Sequence, residues 1–284
     1  MSGTGRTGGT GRTGPGNGGH GRLGSVLSGL VVAVGCVLFL GGFVWGAVEY
    51  RPYTVPTDSM SPTVKAGDRV LAQRIPGDAV RRGDVVVFTD KQWGDMPMVK
   101  RVVGIGGDKV ACCDTGGRLT VNGEAIAEPY VGELPGGRAS GTDFDATVPA
   151  GQLFLLGDQR TFSLDSRVHL EDPGQGSVPR SAVDARVDAV IWPSPGFLGR
   201  PAGFAALPGG VSAAGPVRPL AGAVVLGAVL IMAGAAYGPL AQRRAKRRAK
   251  GRGPGAGGAG RSGRSGQSGA SGPSGEGVSA RAGG

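Results

Sequence analysis

Ser59 and Lys100 are the residues of this chain whose types and settings point most directly to chemistry. Ser59 opens the run Ser59-Met60-Ser61-Pro62-Thr63, a few residues after a long apolar segment ends. Lys100 lies in Pro97-Met98-Val99-Lys100-Arg101-Val102-Val103, an apolar run that reads as a strand. A serine hydroxyl becomes a nucleophile when a base takes its proton, and a lysine serves as that base if burial lowers its pKa. A free lysine titrates near ~10.4, too high for a base at neutral pH. Val99, Val102 and Val103 supply the apolar surroundings that such a shift needs, and strand alternation predicts that Arg101 faces out. The pair suggests a serine hydrolase with lysine in place of histidine, working at a membrane surface.

The rival arrangement, Ser-His-Asp, has little to draw on, since the chain holds two histidines. His20 lies in the N-terminal segment, and His169 follows Ser166-Arg167-Val168, close enough to approach the site, but is expected at the surface or behind the reacting groups instead of among them. Two histidines and three cysteines are too few and too scattered for a zinc site, so no metal is implied. Cys36 sits in the apolar segment and reads as inert filling. Adjacent Cys112 and Cys113 cannot close an ordinary loop; two unpaired thiols are expected, with a vicinal disulfide as the alternative.

The elements that must position Ser59 begin with a membrane span. Leu30 to Val48 is an uncharged stretch of 19 residues, long enough to cross a hydrocarbon layer of about 30 Å. Trp45, Tyr50 and Tyr53 mark its exit as interfacial aromatics would. The apolar stretch exceeds that of a cleaved leader, and no small-x-small site follows it, so 28–48 is read as an anchor. A second span is expected over 220–240, closed by Arg243-Arg244-Ala245-Lys246-Arg247-Arg248. Residues 1–22 and 241–284, rich in Gly, Ser and basic residues, are expected to be disordered, because neither can bury enough apolar surface to offset chain entropy.

The net charge of +10 is confined to these ends. Residues 1–22 carry +3, residues 241–284 carry +9, and the remainder carries −2. Basic charge flanking apolar spans is a topology signal, not a nucleic-acid-binding face, so no nucleic acid partner is expected. Both termini are then expected in the cytoplasm and residues 51–200 on the outer side, with 201–219, rich in Pro, Gly and Ala, as a linker.

The outer segment reads as strands: 69–74, 84–89, 98–103, 109–111, 118–121, 124–126, 153–156 and 186–192. Asn122-Gly123 between two short runs is a two-residue hairpin signal. The fold expected is mainly β, an all-β catalytic domain tethered by an N-terminal and a C-terminal transmembrane helix.

Four motifs then fall in order. They are Pro56-Thr57-Asp58-Ser59-Met60-Ser61-Pro62-Thr63, Arg82-Gly83-Asp84-Val85-Val86-Val87-Phe88, Val99-Lys100-Arg101-Val102-Val103-Gly104-Ile105-Gly106-Gly107-Asp108 and Gly157-Asp158-Gln159-Arg160-Thr161-Phe162-Ser163-Leu164-Asp165-Ser166-Arg167. Together, downstream of a membrane span, they resemble the boxes of the type I signal peptidases over about residues 30–195. The resemblance implies a signal-peptidase-like β domain in which Ser59 is the nucleophile and Lys100 the general base. It implies an oxyanion site made by the Ser59 amide and the Thr57 hydroxyl. It also implies that Ser163 hydrogen-bonds and orients the lysine, and that Asp165 and Arg167 form a supporting pair. Its substrates would be secretory preproteins, cut at the signal peptide after small residues, with membrane lipid as the setting and no cofactor. Asp58 stands where many members have glycine, and Gln159 where many have asparagine. Asp58 is expected to face solvent, since a carboxylate facing the lysine would raise its pKa. The non-enzymatic alternative is a membrane-anchored β-domain that binds an envelope partner; labelling by a serine-directed probe separates the two.

Overall fold

The computed structural model describes residues 19–251 except Glu133. Helix α1 spans Gly19–Glu49, and the chain passes without a break into strand β1, Tyr50–Thr54. Strands β2 (Arg69–Gln73), β3 (Val85–Thr89), β4 (Pro97–Ile105), β5 (Lys109–Cys112), β6 (Leu119–Val121) and β7 (Glu124–Ala125) follow. Then come β8 (Phe144–Thr147), β9 (Gln152–Leu156), β10 (Val178–Pro179), β11 (Val183–Trp192) and β12 (Gly196–Phe197), and finally helix α2, Val217–Gly251.

The strands form two antiparallel sheets. One runs β1-β2-β11-β3-β4-β9-β10, with β12 added to β11, and the other runs β7-β6-β5-β8. The expected mainly-β domain with an apolar helix at each end is what the structure has. The Asn122-Gly123 turn joins β6 to β7 with both residues at positive φ, 57° and 84°, as a two-residue hairpin of this type requires.

Four strands were not legible. β1 contains Pro52, which a sheet tolerates at its edge, and β1 is an edge strand. β8 alternates Phe144 and Ala146 inward with Asp145 and Thr147 outward, over four residues only. β10 and β12 are two residues each.

The 201–219 segment is more than a linker. Phe204 and Leu207 are buried in the cluster that holds Val110, Leu119, Phe144 and Phe154, and the Ser212 hydroxyl donates to Asp84. A Gly/Pro-rich composition hides two apolar side chains that seal the second sheet. The cysteines also differ from expectation: Cys112 and Cys113 are joined as a vicinal disulfide. Cys36 is free.

Val26–Glu49 and Val217–Leu240 are long and apolar enough to cross a membrane, with mean hydropathies of 2.4 and 2.2. Their faces meet through glycines. A Cβ on Gly227 would lie 2.7 Å from the Gly35 carbonyl oxygen and 2.5 Å from the Phe39 amide nitrogen. Ser28 Oγ donates to the Gly234 carbonyl at 2.9 Å. Small residues permit such close helix approach where lipid offers no hydrophobic drive for association. α2 continues through the basic run to Gly251, where the sequence suggested disorder from 241. Ala, Arg, Lys and Gln are all strong helix formers, so the helix carries on past its apolar part. The rest of the expected tails, 1–18 and 252–284, lies outside the described residues.

Candidate active site

Ser59 is the middle residue of a single 3-10 turn, Asp58–Met60, that follows β1. Met60 anchors the turn: it is fully buried among Val55, Val64, Val85, Val87 and Val99. The Ser59 carbonyl accepts the Gln159 amide at 3.0 Å, tying the turn to the loop after β9. Lys100 sits in the middle of β4, paired in register with Val86 of β3.

The structure brings Ser59 and Lys100 together. Lys100 Nζ is 2.7 Å from Ser59 Oγ, and Thr57 Oγ1 is 3.2 Å from the same oxygen. Lys100 is only 4% exposed. Burial lowers its pKa to about 8, against the pull of Asp165 and Asp158, which favour the charged form. His169, the alternative base, is engaged elsewhere: its Nδ1 is 2.8 Å from Asp172 Oδ2, and its ring stacks on Trp93. Asp58 Oδ1 accepts the Ala66 amide at 2.9 Å, and its side chain is solvent-exposed, as expected, at the edge of the groove that holds Ser59.

The fourth motif forms a braced loop behind the pair. Asp165 takes Arg167 Nε and Nη2, each at 2.8 Å, and also accepts the Gly157 amide at 3.0 Å. Arg167 reaches the Arg160 carbonyl at 2.8 Å. Gly157 must be glycine, because a Cβ there would collide with Ser163 and lie 2.5 Å from the Ser59 carbonyl oxygen. Ser163 is thus beside Ser59, but among the described residues its buried hydroxyl has no hydrogen-bond partner; the expected bond to Lys100 is not made.

Arg101 overturns its expectation. It is buried, with Nε and Nη2 on the two carboxylate oxygens of Asp158 at 2.8 and 2.6 Å, and its guanidinium lies 3.8 Å from the centroid of the Tyr130 ring. Alternation sorts side chains by face, and here each face of β4 is covered: Val99 belongs to one apolar cluster, Val102 to a second and Val103 to a third. Both faces are largely covered, so a charge such as that of Arg101 needs a buried partner. Asp158 is the residue whose importance sequence reasoning missed. It lies in the fourth motif, yet nothing local shows that it reaches back to β4.

Ser59, Lys100 and Thr57 line an open groove of about 940 Å³, with Val55, Val99, Met98, Trp93 and Phe162 among its walls. Chemically, a hydroxyl in contact with an amine that burial brings close to neutrality has the arrangement that a nucleophile and its base require. The neutral amine fraction grows as pH rises through about 8. The rate of any reaction that starts from Ser59 should therefore climb about tenfold from pH 6 to 7 and level off above pH 9. A pH-rate profile on the solubilised protein measures this, and a flat profile from pH 6 to 10 contradicts a lysine base.

Residues 24–192 match the signal peptidase family, peptidase S26. The match covers more than half of the chain, and the chain belongs to this family. It is 31% identical over 220 residues to a protein of Mycobacterium leprae described as a probable signal peptidase I, covering 57% of this chain and 74% of that one. It is 31% identical over 173 residues to a signal peptidase I of Bacillus licheniformis, covering 58% of this chain and 86% of that one. A crystal structure of a signal peptidase I from Enterococcus faecalis aligns at a TM-score of 0.32 and 27% identity, over 37% of this chain and 94% of that one.

Proposed function

We propose that this chain is the membrane-anchored serine endopeptidase that removes signal peptides from exported preproteins, with Ser59 and Lys100 as its dyad. Membership of the signal peptidase family supports the activity. The observation that carries the residue assignment is the 2.7 Å contact between a buried lysine and Ser59 at the groove wall.

In this reading neutral Lys100 accepts the Ser59 proton as Oγ attacks the scissile carbonyl carbon. The resulting ammonium gives that proton to the leaving amine, and the acyl group stays as an ester on Ser59. Lys100, neutral again, takes a proton from water as the water oxygen attacks the ester carbon. It then returns that proton to Ser59 Oγ as the ester bond breaks, which releases the signal peptide as a carboxylic acid and restores both the hydroxyl and the neutral amine. The Thr57 hydroxyl and the Ser59 amide stabilise the oxyanion of each tetrahedral intermediate. The Asp165–Arg167 pair and Asp158 hold the loop and strand that carry these groups, and Ser163 fills the space beside Gly157. Residues with small side chains, one and three positions before the cut, fit a wall made of Val55, Val99 and Met98.

The basic flanks of the two spans support an orientation with both ends in the cytoplasm and the β domain on the outer face. A reporter fused at Gly284 should then be active only in a form that works in the cytoplasm; an exported reporter refutes the orientation. Incubation of the detergent-solubilised protein with a preprotein, followed by N-terminal sequencing of the product, tests the activity. A new N-terminus just after a small-x-small tripeptide is expected, and an intact preprotein argues for the non-catalytic alternative.

A further inference from the structure

The groove beside the dyad has a rim that the chemistry of hydrolysis does not require. Met96, on the segment before β4, and Phe162 and Leu164, on the loop after β9, line it and are 66, 78 and 72% exposed. Large apolar side chains gathered on one cleft signal a surface that is covered when the protein works. The loop sorts them by its own geometry: Ser163 turns inward against Gly157, so its neighbours Phe162 and Leu164 turn outward.

One part of the same groove wall, Trp93, is braced. Trp93 stacks on His169 with centroids 4.7 Å apart and planes 17° from parallel, and meets Phe88 edge-on at 5.5 Å. His169 is in turn fixed by Asp172. A preorganised aromatic wall facing an open apolar rim is built to take a side chain with little ordering cost. The rim is continuous with Ser59 and Lys100, so a peptide backbone placed for attack runs past it.

We propose that Trp93, Met96, Phe162 and Leu164 form a specificity-determining subsite for one large apolar side chain of the preprotein, flanking the scissile bond at a position other than the two small ones. This rests on the reading of the chain as a signal peptidase. The interaction is made before the chemical step and persists through it, so it acts on KM more than on kcat.

The test uses the full chain in detergent and soluble peptides with a small-x-small cut site. Leucine and serine are compared at the residue two before the cut and at each of the two after it. Wild type should favour leucine at one of these positions by about tenfold in kcat/KM, mostly through KM. In the double variant Phe162→Ser/Leu164→Ser that ratio should fall to about one, and Trp93→Ala should lower it as well; a ratio is insensitive to any general loss of activity. No leucine preference at any position, or a ratio that survives the double variant, overturns the inference. So does a variant that keeps the ratio but loses binding to phospholipid vesicles, which makes the rim a lipid surface. If wild type cuts none of the peptides, it is the signal peptidase reading that fails.

Discussion

Ser59→Ala and Lys100→Met are each expected to reduce preprotein cleavage by at least about 10⁴-fold while the protein still folds and inserts. Nucleophile and base act as a unit, so removing either leaves only the weak contribution of binding and oxyanion contacts. Methionine keeps much of the lysine's volume without its charge, so the buried site should stay filled. Lys100→Arg should be equally inactive, because a guanidinium does not lose its proton at any working pH. His169→Ala should leave kcat largely intact, since its ring is engaged with Trp93 and Asp172 and not with Ser59, and the loss of its stack on Trp93 should fall on KM. Timed cleavage assays on membranes matched for protein level measure all four. Cleavage that persists in Lys100→Met would dissolve the dyad.

The second large effect is on stability. Arg101→Ala should cost about 3–5 kcal/mol, because it leaves the carboxylate of Asp158, 0% exposed, without its bidentate partner. For a domain of this size that lowers the unfolding temperature by on the order of 10 °C. Arg101→Lys should recover little of it, since a point charge cannot replace two parallel N–H bonds and the stack on Tyr130. Thermal unfolding of the solubilised chain reads the result directly. A shift of a degree or two would mean that Thr63, which also donates to Asp158, carries the carboxylate by itself.

What the sequence made legible follows from local physics. β4 stood out because a run of valines around Lys100 has one simple reading, and the turn between β6 and β7 because Asn-Gly has one favoured geometry. The two long apolar helices were plain from length and apolarity. The proposed dyad needed the four motifs, since a lone strand lysine is ordinarily solvated. What stayed hidden depends on contacts distant in sequence. Arg101 meets Asp158 across 57 residues, and Phe204 and Leu207 return to a core built from residues 103–156. β10 and β12 are too short to have a pattern of their own. The Cys112–Cys113 bond was left open because adjacency alone does not decide between thiols and a disulfide.

If burial in β4 tunes Lys100 to be the base for Ser59, its amine must lose its proton well below the pH at which an ordinary lysine does. The most direct measurement is an NMR titration of isotope-labelled lysine side chains in the full chain, with Lys100→Arg used to assign the Lys100 signal. This one lysine is expected to titrate near pH 8, well below the ordinary lysine range. A Lys100 signal that stays protonated up to about pH 10 would contradict it.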